Sequence, residues 1–141
     1  MLKDVVAAYI ELNDKFLIAQ RANGKFKGLW EFPGGKVESG ESDERAIERE
    51  IKEELDIIIK AHELIGSTRY PMGDKELLLK LYRCVLSEGY DVIRLNAHTD
   101  AKFISQDEIN DYEFCPADYN LLTYIRKNDN VKKRVLSQNC K

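Results

Sequence analysis

The sequence predicts an α/β protein, and three observations predict it. Apolar, β-leaning runs come first, at Val5–Leu12 and Lys15–Arg21. Ala46–Leu55 follows without Pro or Gly, its apolar residues recurring at helical spacing. Further strand-like runs at Glu63–Tyr70 and Lys75–Leu86 then precede a second helical stripe, Leu121, Leu122 and Ile125. Strands, helix, strands, helix is the order of an α/β domain, and several topologies share it.

Asn13-Asp14 is an acceptable turn pair, so the first two runs read as a hairpin. Arg21 ends the second strand, where a solvated terminus and a functional cation are about equally reasonable readings. Ala22–Gly28 holds two Gly and two Lys and reads as a loop, with Lys25 and Lys27 as surface residues. Leu29–Phe32 is a short strand that turns Trp30 and Phe32 to one face and Glu31 to the other. That aromatic face reads mainly as core, and Phe32 also stands among the candidate substrate-binding residues.

The chain is organised around residues 34–57. Gly34-Gly35 follows Pro33, and such a turn lets backbone approach a ligand closely. Ser42 is the expected N-cap, with Asp43 and Glu44 in a first turn that favours negative charge. Ile47, Ile51 and Leu55 share one apolar stripe, and Glu50, Glu53 and Glu54 share a neighbouring face. Three carboxylates on one face repel each other. A bare acidic face is most often simply solvated. Beside a glycine turn, it favours a hard cation that takes phosphates and waters as its remaining ligands.

Ile57-Ile58-Ile59 begins another strand, and Glu63–Tyr70 with Lys75–Leu86 reads as a second hairpin turning at Pro71–Asp74. Leu77, Leu79 and Leu81 are expected in the core; Leu78, Lys80 and Tyr82 could line a cleft. Ser87–Arg94 reads as a loop leading to a short strand. Ser105 is expected to cap a short helix, Gln106–Asp111, and Pro116 suits the first position of the last helix. Residues 128–141, with Lys132, Lys133 and Arg134 together, read as a frayed polar tail beyond a single domain over 1–127.

A chain of 141 residues can bury a proper core. Hydrophobic content of 43%, charged content of 33% and net charge of -3 describe an ordinary soluble protein with no broad drive toward nucleic-acid polymers or membranes. No uncharged apolar run approaches the roughly 18 residues of a membrane span, and Met1–Val5 lacks a signal-peptide pattern. Cys84, Cys115 and Cys140 are odd in number and widely spaced, which points to reduced thiols and a cytoplasmic location.

Gly35, five residues, Glu41, seven residues, then Arg49-Glu50-Ile51-x-Glu53-Glu54 resembles the Nudix box, with Asp56 where the family has Gly. Leu29–Glu38 resembles its MutT-type branch. The resemblance implies an α/β/α sandwich around a mixed sheet. It also implies Mg²⁺-dependent hydrolysis, with Mn²⁺ as the alternative metal, of a nucleoside triphosphate to the monophosphate and pyrophosphate. The substrates it suggests are modified nucleotides of the 8-oxo-dGTP type, or CTP and dCTP. By the same resemblance, Glu50, Glu53, Glu54 and the Gly35 carbonyl hold metal, and one Glu takes the proton of the attacking water. Arg49, off the metal face by helix geometry, orients a carboxylate, and Glu41 fills a further box position. Arg21 and Lys36 meet the substrate, and Asp118, in Pro116-Ala117-Asp118, contacts the base. Relatives carry a Glu where Ala97 stands; His98 or Asp100 could replace it, although a structural role for His98 is the commoner case. Asp56 and Ala97 also support an alternative, a non-catalytic nucleotide-binding module. A hydrolase of another nucleoside diphosphate-linked compound is a third reading. The expected partner is the nucleotide, and the expected assembly is a monomer or homodimer.

Overall fold

Both faces of one mixed sheet are covered, and this places the acidic helix. The computed structural model describes residues 2–88 and 92–125. The strands are β1 (Leu2–Leu12), β2 (Lys15–Arg21), β3 (Trp30–Glu31) and β4 (Gly34–Lys36), followed by β5 (Ile58–Met72), β6 (Lys75–Glu88) and β7 (His98–Ile104). Helix α1 spans Asp43–Leu55, a 3₁₀ helix spans Gln106–Asp111, and helix α2 is described over residues 116–125. The expected polar tail, 128–141, and Cys140 lie outside the described residues, as does Gly89 of the expected Ser87–Arg94 loop.

The strand order is β3-β2-β1-β6-β5, with β4 also on β1 and β7 also on β2. β1 runs parallel to β6 and antiparallel to β2 and β4. It is buried from both sides, so Val5–Ala8 reads as a continuous apolar run. Val6, Ala8 and Ile10 pack with Ala46, Ile47, Ile51 and Leu55 of α1. Ala7, Phe16, Ile18, Leu79 and Leu81 pack on the other side with Leu121, Leu122 and Ile125 of α2. The result is the expected α/β/α sandwich.

Local chemistry explains the element ends. Asn13 and Asp14 both adopt positive φ, 50° and 64°, as a twisted two-residue hairpin requires. Ser42 caps α1, its Oγ accepting the Arg45 N–H at 3.2 Å. Asp56 ends α1 in the left-handed conformation, at φ 57°, with its N–H on the Lys52 carbonyl. Asp tolerates that conformation better than most residues, which accounts for its standing where Gly was expected.

The structure departs from the expected elements in three places. The runs at Ile57–Ile59 and Glu63–Tyr70 are one long strand, β5, that keeps its pairing to β6 through register shifts near Ile58, Ala61 and Leu64. The turn tightens to Gly73-Asp74, and β6 continues to Glu88. The faces of β6 also differ in role. Leu77 and Leu79 line the central cleft. Lys80 and Tyr82, the expected cleft candidates, instead hold Asp43 at the start of α1, at 2.7 and 2.6 Å. Among the described residues no helix is long and apolar enough to cross a membrane.

Asp56→Ala should cost about 1 kcal/mol of stability, the strain of a side chain without local hydrogen bonding in this conformation. Asp56→Gly should be close to neutral, and urea titration of both variants checks the pair.

Candidate active site

The expected glycine turn is instead the short strand β4, which pairs with β1 and reaches the helix because two side chains are missing. A Cβ on Gly34 would overlap the Val6 carbonyl oxygen, and one on Gly35 would meet the Glu50 carboxylate. Gly is therefore required at 34 for β4 to lie on β1, and at 35 it leaves room for the Glu50 carboxylate against the backbone.

Arg49 gathers the neighbouring acids. Its Nε and Nη2 donate to the two oxygens of Glu41, at 2.7 and 2.9 Å. Its Nη1 donates to Glu50 at 2.8 Å and Glu53 at 2.9 Å, and Nη2 also reaches the Lys36 carbonyl at 3.0 Å. The hydrogen bonds from Arg49 hold Glu41 down to about 2. Arg49 does orient carboxylates. It does not point away from the acidic face, however, because its fork folds back between Glu41, Glu50 and Glu53.

Glu54 has no such partner. Its Oε1 is buried without a hydrogen bond. Burial, followed by the charges of Glu50 and Glu31, pushes its carboxyl up to about 8. An unpaired buried oxygen beside a second carboxylate is the chemistry a hard divalent cation satisfies. Glu50, Glu54 and the adjoining Gly35 fit such an ion. Glu53 is more than half exposed and reaches the same corner through the nitrogen it shares with Glu50.

A cleft of about 330 Å³ runs from this corner across the sheet. Gly35, Lys36 and Glu54 line it, together with Arg21, Glu31, Phe32, Cys115 and Asp118. Phe32 is 3% exposed and belongs to the core, as its strand alternation implies, while also lining the cleft. Its N–H donates to Asp118 Oδ1 at 2.9 Å. Asp118 is buried, which, together with the Glu31 charge, pushes its carboxyl well above the ordinary range. Burial thus favours the protonated carboxyl, the form that offers a donor as well as an acceptor.

Glu31, Cys115 and Asp118 also place their donor atoms within 4.8 Å of one another. They make a poor cation cage. Arg21 Nη1 and His98 Nε2 already take the oxygens of Glu31, at 2.9 and 2.8 Å. Burial pushes the Cys115 thiol up to about 12. These residues form a polar lining of the cleft that includes an arginine.

Four neighbours were not legible as site residues. Lys3 and Lys75 join Lys36 beside the cleft, and Lys36, then Lys75, hold the Lys3 ammonium below its usual range. Strand pairing brings them together: Lys3 lies opposite Leu77, and Lys75 opposite Met72. Glu31 and Cys115 are the other two. Asp100, a candidate to replace the missing Glu, is instead turned to the Ala101 N–H at 2.8 Å.

The acidic corner on α1 lies against β4 and opens onto a polar cleft. The chain belongs to the Nudix family of hydrolases that act on nucleotides: the family model described as the NUDIX domain matches residues 1–134. It is 36% identical over 120 residues to the CTP pyrophosphohydrolase of Escherichia coli, covering 84% of this chain and 87% of that protein. It is 30% identical over 142 residues to a putative 8-oxo-dGTP diphosphatase 2 of Mycobacterium tuberculosis, covering 96% of each. The solution structure of the E. coli ORF135 protein superposes with a TM-score of 0.75 at 34% identity, over 89% of each chain. A MutT protein from Methanosarcina mazei shares the fold, with a TM-score of 0.76 at 24% identity over 90% of this chain and 95% of that one.

Glu54 makes stability depend on pH. Its folded value, about 8, lies above the ordinary 4.5, so folding favours the protonated form. That contribution is complete below the ordinary value and is lost as pH rises through about 8. In chelator, Glu54→Gln should therefore melt higher than wild type at a pH of about 9, and the gap should close by about pH 5. Thermal melts at the two pH values measure it.

Proposed function

We propose that this chain hydrolyses a nucleoside triphosphate to the monophosphate and pyrophosphate, with Mg²⁺ or Mn²⁺ held by Glu50, Glu53, Glu54 and the Gly35 carbonyl. The observation that carries this reading is the Glu50–Glu54 corner pressed against Gly35, where one buried carboxylate oxygen stays unpaired. A bound divalent ion supplies the means to lower a water's pKa and neutralise charge on phosphate oxygens.

The chain's own residues do the rest. Arg49 keeps Glu50 and Glu53 oriented toward the corner, where Glu54 would join them in holding the ion. Glu53 and Glu54 are the candidates to take the proton of the attacking water. Lys36, with Lys3 and Lys75, presents positive charge to the anionic tail from the cleft's edge, and Arg21 meets the phosphates from the opposite side. The base enters the cleft beside Phe32 and Asp118, and the Asp118 carboxyl, favoured in its protonated form by burial, donates to a ring nitrogen or carbonyl. Cytosine nucleotides and 8-oxo-dGTP both offer such an acceptor, and relatives named for each activity support both classes. The buried free thiols Cys84 and Cys115 accord with a cytoplasmic enzyme.

Pyrophosphate release measured with Mg²⁺ across common and oxidised nucleoside triphosphates tests the reaction. Glu53→Gln and Glu54→Gln should each lose about two or more orders of magnitude in turnover while remaining folded. Near-normal turnover in both would sink the assignment. At the base end, Asp118→Asn keeps a donor and an acceptor and should preserve the ranking of substrates. Asp118→Ala should level it, and should cost about 1–3 kcal/mol of stability by orphaning the Phe32 N–H. Competition assays on the nucleotide panel read the ranking, and denaturant melts read the stability.

A further inference from the structure

We propose that His98 is a positioning residue that clamps Glu31 and, through Glu31, sets Arg21 at the phosphate side of the cleft. The inference rests on the reading that Arg21 meets the substrate's phosphates. It begins in the sheet. β7 pairs with β2 in regular register from Phe16↔Ile104 to Gln20↔Asp100, then slips so that Arg21 faces His98. The extra residue on β7 turns the imidazole inward. Its side chain is 3% exposed, and its Nε2 lies 2.8 Å from Glu31 Oε2. A carboxylate only accepts, so Nε2 carries the hydrogen and donates. The other oxygen of Glu31 accepts from Arg21 Nη1 at 2.9 Å. Glu31 thus spans an imidazole and a guanidinium, and each of its oxygens is assigned.

A second cavity, also of about 330 Å³, explains what the clamp serves. Arg21, Glu31, Glu54, Asn96, Ala97 and His98 line it. Among the described residues the buried side-chain nitrogens and oxygens without a partner are Arg21 Nε, Glu54 Oε1 and His98 Nδ1. All three belong to residues of this one cavity, and Arg21, Glu31 and Glu54 also line the nucleotide cleft. Glu31, bonded to both Arg21 and His98, ties the shared boundary of the two spaces to β7. The segment leading to His98 is itself tied to α1: Asn96 donates to the Glu53 and Glu54 carbonyls at 2.9 and 3.1 Å. The helix that carries the acids and the strand that carries His98 are thus held in one frame. With Nε2 spent on Glu31, His98 does not replace the Glu absent at Ala97. It acts through Glu31.

The test is steady-state kinetics of the full chain with CTP, 8-oxo-dGTP and Mg²⁺. His98→Ala should raise KM about tenfold and change kcat less than about threefold, because the interaction lost is one of substrate binding. His98→Gln keeps an N–H donor and should recover most of the KM. In a Glu31→Ala background, His98→Ala should add less than about twofold, the signature of two residues acting as one unit. If His98→Ala does not fold, His98→Leu fills the same space without a donor and takes its place. An unchanged KM in the folded donor-free variant overturns the proposal. So does a KM effect of equal size in the Glu31→Ala background. If wild type releases no pyrophosphate from any triphosphate, the proposed reaction fails while the clamp stays testable. Calorimetry with the α,β-methylene analogue of CTP should then show the same pattern in Kd, and equal Kd values in wild type and the donor-free variant overturn it.

Discussion

Arg49 is the charge on which the acidic corner depends. Two carboxylates about 4 Å apart repel by roughly 4 kcal/mol at the effective dielectric near a protein surface, and Glu41, Glu50 and Glu53 converge here. One planar guanidinium bonds all three and the Lys36 carbonyl. Lysine is a point charge and lacks the fork that serves several acceptors in fixed directions. The arrangement leaves one acid out. Glu54 faces Glu50 without a cation of its own, and burial with the charges of Glu50 and Glu31 pushes its carboxyl up to about 8. Arg49 thus bonds three acids and leaves the fourth uncompensated.

The sheet decides where that corner opens. β1 lies at its centre, and its residues Val5–Ala7 pair with β4, which brings Gly35 against Glu50 of α1. α1 is pinned at both ends. Tyr82 and Lys80 hold Asp43 at its start, and Asn96 and Arg94 donate to the Glu53, Glu54 and Leu55 carbonyls at its finish. Capping these carbonyls from another segment satisfies groups that a helix end leaves open. It also couples the acids to the loop before β7.

The acids around the cleft are treated in different ways. Glu54 faces Glu50 with no cation between them. Glu31 is paired with Arg21 and flanked by His98, while burial raises the Asp118 carboxyl above its ordinary range. Uncompensated negative charge is therefore concentrated at the acidic corner.

Local patterning determined much of this protein by itself. The hairpin at Asn13-Asp14, the Ser42 cap, the Ile47–Ile51–Leu55 stripe and the clustered acids on α1 were all legible, because each depends on residues a few positions apart. The spacing of Gly35, Glu41 and Arg49-Glu50 carried the family for the same reason. What only the tertiary structure decided were pairings across long separations. Phe32 with Asp118, Glu31 with Arg21 and His98, and Lys3 with Lys36 and Lys75 are set by strand register and by a slip between Gln20 and Arg21. The fate of Asp118 and Glu54 was likewise decided there. A carboxyl's charge depends on how much water and which neighbours surround it, and neither is written in the residues beside it in the chain.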